Sequence, residues 1–198
     1  MDIIVLSERS VAMDNGASSY RRFRDDGDES GLAEIIRDYK DGLIFYLNSF
    51  VDNIIIAEEL AEDTFVRLGT RKPKDKGKGS FKTWLYTIGR NIAIDYLRRR
   101  PKTDFFSESD CPDIISEEED LELSYIHEER KVILHRAMRD LKPEYRQILW
   151  LIYFEGLSNR EAATVMKKSV HNIETLVYRA RMTLKTSLER ENFTYEEL

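Results

Sequence analysis

The stretch Gly156–Leu188, GLSNREAATVMKKSVHNIETLVYRARMTLKTSL, constrains the fold more than any other part of the chain. Gly156 suits the end of a preceding helix. Ser158 and Glu161 form an S-x-x-E capping box at the start of a short helix. Ala162, Ala163, Val165 and Met166 form its inward face, with small residues where two helices must approach. Lys167 and Lys168 make a tight polar turn, and Ser169 caps a second, longer helix. There Val170, Ile173, Val177, Ala180 and Leu184 recur at spacings of three and four, which predicts one buried stripe. This is a helix-turn-helix pattern. His171, Asn172, Glu174, Thr175 and Tyr178 point outward near the start of the second helix and are of types that hydrogen-bond base edges. Arg179, Arg181 and Lys185 beyond them suit phosphates. A recognition helix presents its first turns to the major groove, so the placement fits. Taken alone, the same pattern also fits a helical hairpin in a bundle core.

The rest of the chain is also patterned for helices. Only 9 Gly and 4 Pro interrupt 198 residues, and helix formers dominate long stretches. Ser30 is placed to cap a helix with the stripe Leu32, Ile35, Ile36, Tyr39, Leu43, Tyr46, Leu47 and Phe50. Gly42 lies inside it, which predicts a bend or a close contact. Asp52–Asn53 breaks the pattern. A second helix over about 54–68 turns Ala57, Leu60, Ala61, Thr64, Phe65 and Leu68 inward and Glu58, Glu62, Asp63 and Arg67 outward. TRKPKDKGKGS at 70–80 is a loop by its Pro, Gly and Lys content. Ser80 caps a third helix with Phe81, Trp84, Leu85, Ile88 and Ile92 inward, and Pro101 ends it. Residues 103–125 are acidic and aperiodic, the signature of a solvated linker. Helix resumes before Arg139, and Pro143 opens another helix with Ile148, Leu149, Ile152 and Tyr153 as its stripe. The fold class expected is all-α, two small helical domains joined by the linker.

The net charge of −6 conceals segregation. Residues 71–102 hold eleven Lys/Arg and two Asp, an excess of nine positive charges. Residues 104–129 hold eleven Asp/Glu and no Lys or Arg. Residues 158–190 hold seven Lys/Arg and three Glu. Two basic blocks therefore flank an acidic one. One cysteine, Cys111, excludes an internal disulfide and fits a reducing compartment. No apolar run is long enough to span a bilayer, and the N-terminus lacks the features of a signal peptide, so no membrane insertion and a cytoplasmic location are expected. His127, His135, His171 and Cys111 have no metal-ligand or nucleophile spacing, so neither an enzyme nor a cofactor is expected.

In this order the pieces resemble a bacterial RNA polymerase sigma factor of the sigma-70 family, extracytoplasmic-function group. AEDTFVRL at 61–68 is similar to that family's polymerase-binding helix. FKTWLYTIGRNIAIDYLRRR at 81–100 is similar to its promoter-melting and minus-ten segment, and residues 141–184 to its minus-thirty-five domain. The resemblance implies that Glu58, Glu62, Asp63 and Arg67 dock on core RNA polymerase. It implies that Lys74, Lys76, Lys78 and Lys82, with Arg90, Asn91, Asp95, Arg98 and Arg99, meet minus-ten DNA, the Lys-rich loop helping to hold a flipped base. It implies minus-thirty-five contacts from Ser169, His171, Asn172, Glu174, Thr175, Tyr178, Arg179 and Arg181. The implied partners are core RNA polymerase, promoter DNA and an anti-sigma factor.

The expected organisation is an N-terminal extension at 1–29, poorly ordered, with Met13 as an alternative start. A polymerase and minus-ten domain at 30–102 follows, then the linker at 103–125, the helix-turn-helix domain at 126–190 and a tail at 191–198. Two departures stand out. Lys167–Lys168 replaces the glycine frequent between the two helices, and Glu174–Thr175–Leu176 replaces a frequent Lys-Ser-Arg. The alternative is a response-regulator or LuxR-like activator with residues 1–125 as a sensory domain.

Overall fold

The computed structural model describes residues 15–74, 79–99, 134 and 136–190. The expected acidic linker, Lys76, Lys78, the alternative start at Met13 and the tail lie outside the described residues. The helices are α1 (Gly16–Arg21), α2 (Glu29–Val51), α3 (Ile54–Arg71), α4 (Phe81–Arg99), α5 (Pro143–Leu149), α6 (Asn159–Met166) and α7 (Val170–Arg190). A π-helical turn, Arg22–Asp26, extends α1, and another, Trp150–Phe154, extends α5. Residues 136–139 are also helical. No strand occurs among the described residues.

α2, α3 and α4 pack on one another through the stripes their sequences predict. Ile35, Leu43, Tyr46, Leu47, Ala57, Leu60, Ala61, Leu68, Phe81 and Leu85 are buried. The helix boundaries follow from capping. Asp28, rather than Ser30, caps α2, its carboxylate accepting from the Ser30 backbone N–H at 3.0 Å. Asp52 ends α2 in the left-handed conformation, and Asn53 caps α3 through the Ile56 N–H at 3.1 Å. Asp and Asn tolerate these positions because short polar side chains hydrogen-bond locally.

The N-terminal extension differs from expectation. Residues 16–26 are helical, and Tyr20 and Phe23 are buried rather than loosely ordered. Tyr20 packs on Phe81 and Trp84, with ring centroids 5.7 and 5.1 Å away, and its hydroxyl donates to the Pro73 carbonyl at 2.6 Å. Arg22 pairs with Glu34 and with Asp28. A polar composition concealed two aromatic anchors that complete the core above α4.

Around α7 the stripe is shifted by one position from expectation. Ile173, Leu176, Ala180, Leu184 and Leu188 are buried, while Val170 is exposed and Val177 half-buried. In α5 the buried run is Ile148, Leu149 and Leu151, and Ile152 and Tyr153 are only half-buried. The π-helical turn adds a residue to the repeat and moves the inward phase. The capping box is formed as predicted: Glu161 N–H donates to Ser158 Oγ, and Ser158 N–H donates to the Glu161 carboxylate at 2.9 Å. Lys167 takes the left-handed conformation, φ 55°, between α6 and α7. That conformation explains why glycine is natural there and what lysine tolerates in its place.

Candidate nucleic-acid interface

Three outward helix faces carry the predicted residues. On α7, Ser169, His171, Asn172, Glu174, Tyr178, Arg179 and Arg181 are exposed, and Thr175 is half-buried. The cause is the buried stripe beneath them: fixing Ile173, Leu176 and Ala180 inward forces the residues between them toward solvent. Ser169 Oγ accepts from the Asn172 N–H at 3.2 Å, so its hydroxyl secures the helix start. Thr175 Oγ1 donates back to the His171 carbonyl at 3.1 Å, which occupies its proton. Tyr178 is 67% exposed and Met182 48%, so this face presents an aromatic ring and a thioether beside its polar groups. Met182 was not among the predicted residues, although its four-residue step from Tyr178 places it on the same face.

On α3, Glu58, Glu62 and Asp63 are exposed, and Arg67 is half-buried. Ile55 and Val66, 65% and 59% exposed, lie on the same helix outside its buried stripe. Sequence reasoning missed both. Their signal is apolar character out of phase with Ala57, Leu60, Ala61 and Thr64. An acidic face carrying two exposed aliphatic side chains has the composition of a docking surface.

The α4 face is divided. Arg98 and Arg99 are exposed at its C-terminal end, with Arg98 3.6 Å from Asp95. Lys74 is exposed at the entry to the Lys-rich loop. Arg90 is half-buried, with its Nε among the buried nitrogens, and its charge bears on the Tyr46 phenol. Burial pushes that phenol far above its ordinary value, and Arg90 opposes the shift. Lys82 and Asn91 are engaged by the helix-turn-helix half. Lys82 Nζ donates to the Glu155 carbonyl at 2.9 Å and lies 3.3 Å from its carboxylate. Lys167 Nζ donates to Asn91 Oδ1 at 2.7 Å.

These belong to a contact between the two halves. Trp150 Nε1 donates to the Gly42 carbonyl at 3.1 Å, and Arg146 pairs with Asp52 at 2.9 Å. Gly42 is required here: a Cβ would collide with the Glu155 carboxylate and the Tyr86 hydroxyl. The close contact expected at Gly42 is therefore real, and its partner is the other half of the chain. Burial first, and then the Glu155 carboxylate, pushes the Tyr86 phenol well above its ordinary value. Glu161 reaches Ser80 Oγ at 2.7 Å and Thr83 Oγ1 at 3.2 Å. Burial raises the Glu161 carboxyl, but hydrogen bonds from the Ser158 backbone and from the Ser80, Ser158 and Thr83 hydroxyls outweigh it and hold it below the ordinary carboxylate range.

Two family profiles match the chain. That described as "Sigma-70 region 2" covers residues 35–103, and "Sigma-70, region 4" covers residues 131–184. The ECF RNA polymerase sigma factor SigM of Bacillus subtilis (strain 168) is 32% identical over 161 residues, 80% of this chain and 96% of SigM. The chain belongs to the sigma-70 family, extracytoplasmic-function group. It is thus a sigma factor, a protein that directs transcription initiation. YlaC of the same organism, an RNA polymerase sigma factor, is 28% identical over 80% of this chain and 92% of YlaC.

Two solved structures share the fold. The sigma factor RpoE, in complex with the anti-sigma factor NepR from Bartonella quintana, has a TM-score of 0.63 at 22% identity, covering 79% of this chain and 96% of RpoE. CnrH, in complex with the cytosolic domain of CnrY, has a TM-score of 0.56 at 21% identity, covering 88% and 95%. The region 2 match occupies the part that an activator would need as its sensory domain, so the activator alternative is not favoured. Among the described residues no helix is long and apolar enough to cross a membrane, and no group of His, Cys, Asp and Glu has the arrangement to hold a metal.

Proposed function

We propose that this sigma factor divides its work among the three helix faces. Region 2 corresponds to residues 30–102 and region 4 to 126–190. The α3 face, with Glu58, Glu62, Asp63 and Arg67, docks on core RNA polymerase. α4 and the loop before it hold melted minus-ten DNA: Lys74, Lys76, Lys78, Lys82, Arg98 and Arg99 neutralise phosphates, and Arg90, Asn91 and Asp95 stand nearest the bases. α7 enters the major groove at the minus-thirty-five element, where Asn172 and Glu174 read base edges and Arg179 and Arg181 hold phosphates. Ser169, His171, Thr175 and Tyr178 complete that surface. The chain contributes no catalytic group and acts in the cytoplasm, where the polymerase is. An anti-sigma factor is a further partner, in keeping with the complexes in which RpoE and CnrH were solved.

The observation that carries this reading is the α7 face, a row of exposed hydrogen-bonding side chains followed by arginines and set over a fully apolar stripe. The test is run-off transcription by core polymerase supplemented with the chain, across a promoter library. The selected promoters should share two upstream elements. Substitutions on α7 should change only the distal one, and substitutions on α4 only the proximal one. Selection of a single element, or of none, would refute the division of labour.

A further inference from the structure

The contact between the two halves has an unusual centre. One carboxylate, that of Glu161, joins two helix N-termini. Its Oε2 accepts from the Ser158 N–H at 2.9 Å and the Ser158 hydroxyl at 2.7 Å, at the start of α6. Its Oε1 accepts from the Ser80 hydroxyl at 2.7 Å and the Thr83 hydroxyl at 3.2 Å, at the start of the 19-residue α4. The positive ends of two helix dipoles therefore converge on one anion. Next to it Lys82 faces a second carboxylate, Glu155, whose side chain is only 10% exposed. Two hydroxyls, an ammonium and a helix N-terminus on α4 form the kind of donor set that binds phosphate.

We propose that Ser80, Lys82 and Thr83 at the start of α4 form a phosphodiester-binding site, which Glu161 and Glu155 fill in cis so that region 4 masks the minus-ten face of region 2. The inference rests on the assignment of α4 to minus-ten DNA. In the closed chain the carboxylates stand where backbone phosphates bind when it opens. Asn91, another residue of that face, is held by Lys167 at the same time. The remaining bonds, Trp150 to Gly42 and Arg146 to Asp52, hold the halves together without touching the DNA residues. DNA and the closed contact compete for the same donors, so opening is linked to binding. A closed population of about nine-tenths lowers the apparent affinity for single-stranded DNA about tenfold.

The test uses the full chain. Glu155→Gln/Glu161→Gln removes both charges, and glutamine preserves the capping box. Two readings are taken: energy transfer between dyes at Thr70 and Thr186 in a Cys111→Ser background, and binding of fluorescent random-sequence single-stranded DNA. The double variant should lose energy transfer and bind the DNA about tenfold more tightly. Asp26→Asn/Glu29→Gln makes the same change in net charge on the exposed N-terminal segment and should alter neither reading. Asp52→Lys repels Arg146 by a second route and should also open the chain and tighten binding. It decides the matter if the double variant melts early. Unchanged energy transfer in both opening variants, or opening without tighter binding, overturns the proposal. Core polymerase with the wild-type chain is assayed in parallel. Absence of promoter-specific transcripts there would refute the functional reading itself, whereas normal transcripts with unchanged DNA binding in the variants would refute only the masking.

Discussion

Tyr20 offers the sharpest test of the N-terminal segment as part of region 2. Its ring is 1% exposed and packs on Phe81, Trp84 and Phe23, and its hydroxyl donates to Pro73. Truncation to alanine leaves a cavity bounded by three aromatic rings, at a cost of about 3–5 kcal/mol for an aromatic side chain in a packed core. It also removes the donor to Pro73. Tyr20→Phe keeps the packing and loses only that donor, at about 1 kcal/mol, because the half-buried Pro73 carbonyl can recruit water. In a unit of this size each kcal/mol shifts Tm by about 4–8 °C. Calorimetry should therefore show a drop of several degrees for Tyr20→Phe, and for Tyr20→Ala loss of the region 2 transition or a very large fall. If Tyr20→Ala melts within a degree or so of wild type, the segment is not part of the core and the reasoning fails.

Other expectations concern the helix faces and the contact between the halves. Glu174→Gln should lower discrimination at one or two adjacent minus-thirty-five positions by about 1–3 kcal/mol, read by promoter selection; uniform tightening on all sequences would show that the carboxylate reads nothing. Arg179→Ala should weaken binding to all promoters alike and make the salt dependence shallower by about one unit, the mark of one lost phosphate contact. Asp63→Lys with Arg67→Glu should weaken association with core polymerase in titrations while leaving Tm nearly unchanged; a parallel loss of fold would make these residues structural. The Glu161 carboxyl is depressed in the folded chain, so its contribution is present above the ordinary value of 4.5 and is lost as pH falls through the lower folded value. Energy transfer across the contact, where Glu155 and Lys82 also lie, should therefore decline in acid, and Glu161→Gln should flatten part of that decline.

Much of the fold was legible because its signals are local. The capping box at Ser158, the cap at Ser80 and the stripes of α2 and α3 depend only on neighbours along the chain. The errors arose where phase or distant packing decides. Leu176 replaced Val177 on the buried stripe of α7 because a helix with 3.6 residues per turn can follow either path of threes and fours, and packing against α5 selects one. The π-helical turn at Trp150–Phe154 moved the α5 stripe, and nothing in a regular helical period announces it. Tyr20 and Phe23 were visible as candidate anchors, but their docking depends on Phe81 and Trp84, more than fifty residues away. The outward faces could be read as the complement of the stripes. Engagement of Lys82 and Asn91 by Glu155 and Lys167 could not, because no local pattern links residues so far apart.

The most direct measurement of the central claim is strand opening by a defined complex. Core polymerase free of other sigma factors is combined with the chain and a selected promoter carrying a fluorescent base analogue in the minus-ten element. The account predicts that fluorescence rises only when both core and chain are present, and that Asp63→Lys with Arg67→Glu abolishes the rise. Opening that needs a different resident sigma factor, with this chain merely increasing its rate, would contradict it.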